Sequence, residues 1–373
     1  MFSSSLPPEV ILIILSFLPG KTLPKLRLLS KQFNSIISEP YFLHLHHRFS
    51  LNSFSILTAF TSLRSSLTVE LQLFLFTKPK DTSRAALNAL AAFRTSLTVV
   101  PNHKHPVTKR FLGDRVRVFS SNHQFLCFVS DKEHFLFDPI NQKTLELPKS
   151  SSFSSPNVIS FGFVSSTLQY KIIRFFLPYN PICKFEVLTI SITGKNYKHH
   201  LEISPWKSQE QQCPYLLQPY PPVHANGFIY WTTKHVPKIV SFSLEQEKFS
   251  LLPPPPCFEE NPNHDFSLCG IRGNLWVIDY NSLEPSMEIW MMNGSNGSAW
   301  VKTHRIGLKE TLNRYYPSFP IRIHEIQSDL VLFQVLFPSR INLYYRSKNE
   351  VVDFGELNQE LQFSHYTDGL LSL

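Results

Sequence analysis

The five cysteines of this 373-residue sequence (Cys127, Cys183, Cys213, Cys257 and Cys269) form no CxxC pair, and their number is odd. That argues against a disulfide framework or a zinc site and for a reducing compartment. The sequence has no HExxH, no phosphate-binding P-loop, no dinucleotide glycine fingerprint and no nucleophile elbow, so four common enzyme classes lose their signatures. Long apolar runs are missing too. The longest, Val10–Leu18, is far short of the roughly 20 residues that cross a bilayer. The stretch before it, MFSSSLPPE, carries no Lys or Arg, and no small-x-small cleavage site follows, so a signal peptide is not expected. These absences predict a protein of the nucleus, the cytoplasm or both, with no membrane partner and no cofactor. Charged residues are only 17% of the chain. The net charge of +8 suits acidic partners, but the basic residues are dispersed, so direct nucleic-acid binding is not expected.

Aromatic and proline residues are plentiful. Phe occurs 32 times, and Pro, at 28, far exceeds Gly, at 12. With 43% apolar residues in recurring short runs, this mix predicts β structure punctuated by Pro-containing loops. The length accommodates a small module and a domain of about 300 residues.

The small module is N-terminal. Pro7 and Pro8 suit the first turn of a helix, Glu9 complements its dipole, and Pro19-Gly20 stops it after Leu18. Thr22 can cap a second helix over Leu23–Leu29, and Ser30 a third in which Phe33, Ile36 and Ile37 form a stripe. Glu39-Pro40 ends the third, and Tyr41 to Phe49 adds a further helical turn or two. The first helix is apolar on nearly every side. The other two cover one side of it, and a surplus drawn from Val10, Ile11, Ile14, Leu15 and Leu18 remains. That surplus either docks on the larger domain or binds a partner; the pattern alone leaves both open.

The order Leu6-Pro7, Ile14-Leu15, Leu18-Pro19, Leu26-Arg27, Ser30-Lys31, Phe33, and Pro40 with Phe42 resembles an F-box over about 45 residues. Leu29 stands where Val is usual and Phe33 where Trp is common, both keeping apolar bulk. The resemblance implies that Leu6, Pro7, Ile11, Leu15, Leu18, Pro19 and Leu26 face a Skp-family linker and, through it, the cullin of a ubiquitin ligase.

The remaining residues repeat. Strand-like runs near Phe137, Val187, Phe242, Ile289 and Leu343 recur about every 50 residues. A second series (NHQFLCFV, QYKIIRFF, NGFIYWTT, RGNLWVID and SDLVLFQV) precedes the first within each unit, mostly after turn-forming Asn, Gly or Asp. Two hairpin halves per unit mean four short strands, the pattern of a β-propeller. LTVELQLFLFTKPKD is expected to begin one more blade, completed by the C-terminal strands, and the Ala- and Leu-rich segment from Asp81 to form a helical insertion. The predicted fold is therefore α+β but mainly β. Residues 1–49 form the helical module, and 50–110 a linker with the insertion and possible first propeller strands. Residues 111–373 form a propeller of about six four-stranded antiparallel blades. From about Ser120 to Ile306 these strands also resemble the plant F-box-associated domain, a kelch-like relative, with His123 where that family usually has Gly and Asp138 where it often has Asn.

No constellation points to covalent chemistry or a metal. His44, His46 and His47 read as a solvated linker helix, His103-Lys104-His105 as a loop, Pro253–Pro256 as a stiff connection, and Trp206, Trp231, Trp276, Trp290 and Trp300 as blade core. Recognition is assigned to the connections at Tyr179–Lys184, Trp206–Pro222, Cys257–His264 and Arg314–Pro320, with Tyr179, Tyr215, Tyr220, Tyr315 and Tyr316 as substrate-binding candidates. The expected role is a non-catalytic substrate-recognition subunit of a Skp–cullin–F-box ubiquitin ligase that recruits a target protein. The alternatives are a ligase-independent interaction module, such as a transcriptional co-regulator, and an enzyme or carbohydrate-binding propeller.

Overall fold

The computed structural model describes residues 6–18, 20–50, 55–65, 68–76, 107–112, 117–120, 125–129, 134–138, 143–149, 158–176, 182–195, 198–213, 216–217, 222–233, 238–260, 265–281, 283–293, 299–308, 321–326, 329–336, 339–356 and 361–366. The insertion expected from Asp81 and the His103–His105 loop lie outside these residues.

The N-terminal module contains α1 (Pro8–Ser16), a 3-10 turn (Gly20–Thr22), α2 (Leu23–Leu29), α3 (Lys31–Ile37) and α4 (Pro40–Ser50). Pro8 and Glu9 occupy the first turn of α1, and Ser30 caps α3 by accepting the N–H of Gln32. Thr22 does not cap α2. The 3-10 turn leaves it with helical dihedrals, so its side chain is not placed to accept from the first turn. Pro40 ends nothing by itself: α3 stops at Ile37, and Pro40 opens α4, where its missing N–H is not needed. Leu15, Leu23, Ile36, Ile37 and Phe42 form the core of the module, with Ile11, Leu12, Leu18, Leu26 and Phe33 packed around it. Arg27 ties α2 to α3 through Asn34 and Ser38.

Behind the helices lie six antiparallel sheets. The first contains β1 (Ser55–Ser65), β2 (Thr68–Phe76) and β3 (Val107–Leu112); the second, β4 (Arg117–Ser120), β5 (Leu126–Val129), β6 (His134–Asp138) and β7 (Lys143–Glu146). The third contains β8 (Val158–Val164), β9 (Gln169–Phe176), the long β10 (Ile182–Lys195), β11 (Lys198–Ile203) and an extra strand, β12 (Lys207–Gln212), which pairs with the first half of β10. The fourth contains β13 (Val223–Ala225), β14 (Phe228–Thr232), β15 (Ile239–Ser243) and β16 (Lys248–Leu252). After a short helix, α5 (Cys257–Glu260), come β17 (Asp265–Ile271), β18 (Asn274–Asn281), β19 (Ser286–Asn293) and β20 (Ala299–Gly307) of the fifth. The sixth contains β21 (Ile321–Ile326), β22 (Leu330–Leu336), β23 (Ser339–Tyr345) and β24 (Glu350–Glu356). The last strand, β25 (Leu361–Tyr366), returns to the first sheet and pairs with β1, from Ser55 opposite Tyr366 to Phe60 opposite Leu361. LTVELQLFLF is indeed a strand of that shared blade, completed from the C-terminal end.

The first strands of the sheets stand side by side: β25 by β4, β4 by β8, β8 by β13, β13 by β17 and β17 by β21. This is the inner ring of a propeller, closed by the β1–β25 pairing so that the first sheet has no raw inner edge. The five repeat points fall on the third strands of the second to sixth blades (β6, β10, β15, β19 and β23), and the second series falls on their second strands.

Apolar seams hold neighbouring blades together. One unites Phe125, Leu136, Phe161 and Tyr170 of the second and third blades. Another unites Phe175, Phe185, Trp231 and Phe242 of the third and fourth, with Phe242 edge-on to Phe175 at 5.4 Å and to Phe185 at 5.2 Å. Two more follow around the ring. All five cysteines are buried and unbridged. Trp231, Trp276 and Trp290 are buried in blades as read from the sequence. Trp206 and Trp300 act at the seams: each indole N–H donates to the proline carbonyl that follows the preceding blade's outer strand, Pro148 at 2.8 Å and Pro253 at 2.9 Å. Between the third and fourth blades Lys171 pairs with Glu247 at 2.6 Å, and between the fifth and sixth Arg272 pairs with the buried Glu325 at 2.7 Å. Asn226-Gly227 and Arg272-Gly273 turn the first strand into the second with positive φ at both positions, the geometry two-residue hairpins favour.

Candidate partner-binding surfaces

The inner side of α1 packs Ile11 and Leu15 on the module core, and its outer side carries Val10, Ile13, Ile14 and Phe17 in solvent. Their spacing of i, i+3, i+4 and i+7 makes a continuous apolar stripe along the helix. At the end of α2, Leu28 is 87% exposed and Leu29 75%. Leaving so many large side chains in water forgoes roughly 1.5–3 kcal/mol for each that a partner could bury.

The sequence-predicted linker residues divide across this geometry. Leu6 and Pro7 are exposed beside the stripe. Ile11, Leu18 and Leu26 are half-buried against the core, and Leu15 is only 4% exposed, inside it. Leu15 therefore holds the module together and cannot face a partner without the helices separating. Pro19 lies outside the described residues. The outward residues that the sequence reading passed over are Ile13, Phe17, Leu28 and Leu29. The signal was present as helical spacing, but a helix apolar all round does not say which way it is turned.

His46 is a correction. It is buried in α4 rather than solvated; its Nε2 lies 2.9 Å from the carbonyl oxygen of Leu18, and its ring stacks on Phe42. Burial lowers its pKa, against the raising effect of that bond. Phe49, on the same helix, meets Phe17 of α1 with ring centroids 4.2 Å apart.

The second surface belongs to the propeller. Strand alternation places the β9–β10, β12–β13, β16–β17, β18–β19 and β20–β21 connections at one end of the blades. The strand ends that flank the loops picked out for recognition are at this end. Tyr179, Tyr215, Tyr220, Tyr315 and Tyr316 themselves lie outside the described residues. What is described there is a mixed acidic and apolar rim. In the β16–β17 connection α5 buries Cys257 and Phe258, the latter against Phe266 at 4.3 Å, and leaves Glu259 and Glu260 exposed. In the β18–β19 turn, the side-chain oxygen of Asn281 accepts the N–H groups of Leu283 and Glu284, and Leu283 stands 90% exposed.

Neither surface gathers reactive groups. Burial pushes the thiols of Cys183 and Cys257 up to about 12 and those of Cys127 and Cys269 higher still, which suppresses the thiolate that a nucleophile or metal ligand requires. Among the described residues no three His, Cys, Asp or Glu side chains form a metal-holding group.

Residues 57–352 match the family model of the F-box associated beta propeller domain, and residues 3–45 that of the F-box domain. The chain is an F-box protein of the F-box-associated β-propeller family. Relatives of this F-box protein in Arabidopsis thaliana include an F-box/LRR-repeat/kelch-repeat protein, At1g09650, 23% identical over 85% of this chain and 81% of its own length. F-box protein At3g07870 is 27% identical over 48% of this chain and 49% of its own. A third Arabidopsis protein named for its F-box, At1g47790, is 24% identical over 80% of this chain and 71% of its own. The make-up of the chain, helical F-box first and propeller second, is that of an F-box substrate adaptor.

Proposed function

We propose that this F-box protein is the substrate-recognition subunit of a Skp–cullin–F-box ubiquitin ligase. The stripe Val10–Ile13–Ile14–Phe17, with Leu28 and Leu29, seats a Skp-family linker, which connects the chain to a cullin. The loop end of the propeller seats a target protein. The chain itself makes and breaks no bond. It raises the target's effective concentration beside a ubiquitin carrier held elsewhere in the assembly, so its contribution to the reaction is positional. The observation that carries this reading is the outward apolar stripe, continuous over both turns of α1 and unmatched by any exposed patch of its length among the described propeller residues. Five unbridged buried cysteines suit a reducing compartment, in keeping with work in the nucleus or cytoplasm.

The test is co-purification of the full chain with a recombinant Skp-family linker. Wild type is expected to form a stoichiometric complex, and Ile14→Asp combined with Phe17→Asp to abolish it while the propeller stays folded. If the double variant, or a chain lacking residues 1–49, still carries the linker, the docking surface is wrong. If wild type carries none, the ligase reading gives way to a ligase-independent interaction module that uses the propeller alone.

A further inference from the structure

The exposed stripe of α1 and the exposed pair Leu28 and Leu29 of α2 are on different helices, joined through the 3-10 turn. A partner that covers both needs a fixed angle between them. The last carbonyls of a helix have no intrahelical donors. Ile13 O takes the hydroxyl of Ser16, and Ile14 O and Leu15 O take the N–H groups of Phe17 and Leu18. The carbonyl of Leu18, beyond the end of α1, finds its partner on another helix. His46 supplies the bond from α4, 28 residues further on, at 2.9 Å. Because a carbonyl only accepts, Nε2 carries the proton. The His46 ring is itself buried and lies roughly parallel to Phe42 of the module core, offset with centroids 5.9 Å apart. Three residues later Phe49 braces Phe17, the last residue of the outward stripe.

We infer that His46 is a positioning residue for the linker. It touches no partner, and it fixes the corner between α1 and α2 so that both apolar patches present one surface. This rests on the docking reading above. Helix α4 is thus the clamp of the F-box, rather than a passive lead into the propeller.

The experiment uses the full chain and a recombinant Skp-family linker, with affinity measured by calorimetry for wild type, His46→Met and His46→Gln. Met fills the same apolar space without a donor. Gln keeps an N–H at similar reach. The loss of one hydrogen bond that preorganises a surface corresponds to about tenfold in affinity. His46→Met is therefore expected to bind about tenfold more weakly and His46→Gln to recover to within about threefold of wild type. All five tryptophans lie between 206 and 300, so a tryptophan-fluorescence melt reports the propeller alone and should coincide for the three chains. Hydrogen exchange at α3, whose Ile36 and Ile37 share the module core, checks that the helices still pack. If His46→Met binds as wild type does, the inference is overturned; so it is if both variants lose affinity equally, since the donor is then not the cause. If wild type fails to bind, the docking reading falls first and takes this inference with it.

Discussion

The helical module and the propeller solve opposite problems with similar residues. The propeller is a closed account: β25 comes back to β1, the described seams bury aromatics, and outer strands such as β12 carry polar residues. The module is open. Its core holds Leu15 and Phe42, yet Phe17 is 61% exposed and Leu28 more so. An unclosed apolar surface on a folded unit marks a place where another chain finishes the fold. The difference teaches that substitutions in the propeller are felt as stability, whereas those on the outer face of the module are felt as assembly.

Three experiments press on that contrast. The largest effect is expected from removing residues 361–373, which leaves the inner edge of β1 unpaired. The propeller should lose its cooperative unfolding transition, seen by tryptophan fluorescence, while the F-box keeps its linker. A sharp transition in the truncated chain would mean that closure is dispensable. Next comes a matched pair. Phe242→Ala, fully buried in the seam between the third and fourth blades, should cost about 3–5 kcal/mol in urea unfolding. Ile14→Ala, on the exposed outer face of α1, should change stability by less than about 0.5 kcal/mol, and yet weaken linker binding. Equal stability losses would erase the distinction between closed and open units.

The smallest effect concerns acid. His224, on the inner strand of the fourth blade, lies so close to the third that a Cβ on Gly162 would come within 2.6 Å of its ring. Neither ring nitrogen has a hydrogen-bond partner among the described residues. Burial pushes its pKa down to about 4, and burial together with the charge of Arg174 does the same to His134. Both imidazoles are favoured neutral in the fold. Their stabilising contribution is complete above the ordinary value of 6.5 and is lost as pH falls from there toward 4. The propeller's melting temperature should decline over that window, and His224→Leu should flatten part of the decline. An unchanged profile in His224→Leu would show that the ring is solvated after all.

Much of this architecture was legible because of where burial is two-sided. The second and third strands of the third and fourth blades are covered on both faces, so they appear as apolar runs such as QYKIIRFF and NGFIYWTT. Outer strands such as β12, KSQEQQ, and β16 are covered on one side at most and carry little apolar signal. The repeat was therefore found from its middle outward. In the module the helix boundaries followed from Pro and Ser, but the rotation of α1 did not, since a helix apolar all round has no phase. His46 was misjudged for a different reason. Nothing within its own helix announces that the Leu18 carbonyl will arrive beside it; that is a property of the packed corner.

Pairing the last strand with the first also sets an order of events. The start of β25 at Leu361 comes 311 residues after the end of α4 at Ser50. At synthesis rates of about 5–20 residues per second, the helices emerge roughly 15 to 60 seconds before the ring can shut. For that interval the chain offers a finished docking helix and an unfinished receptor. The ligase end can be claimed by its partner before the recruiting end is able to hold anything.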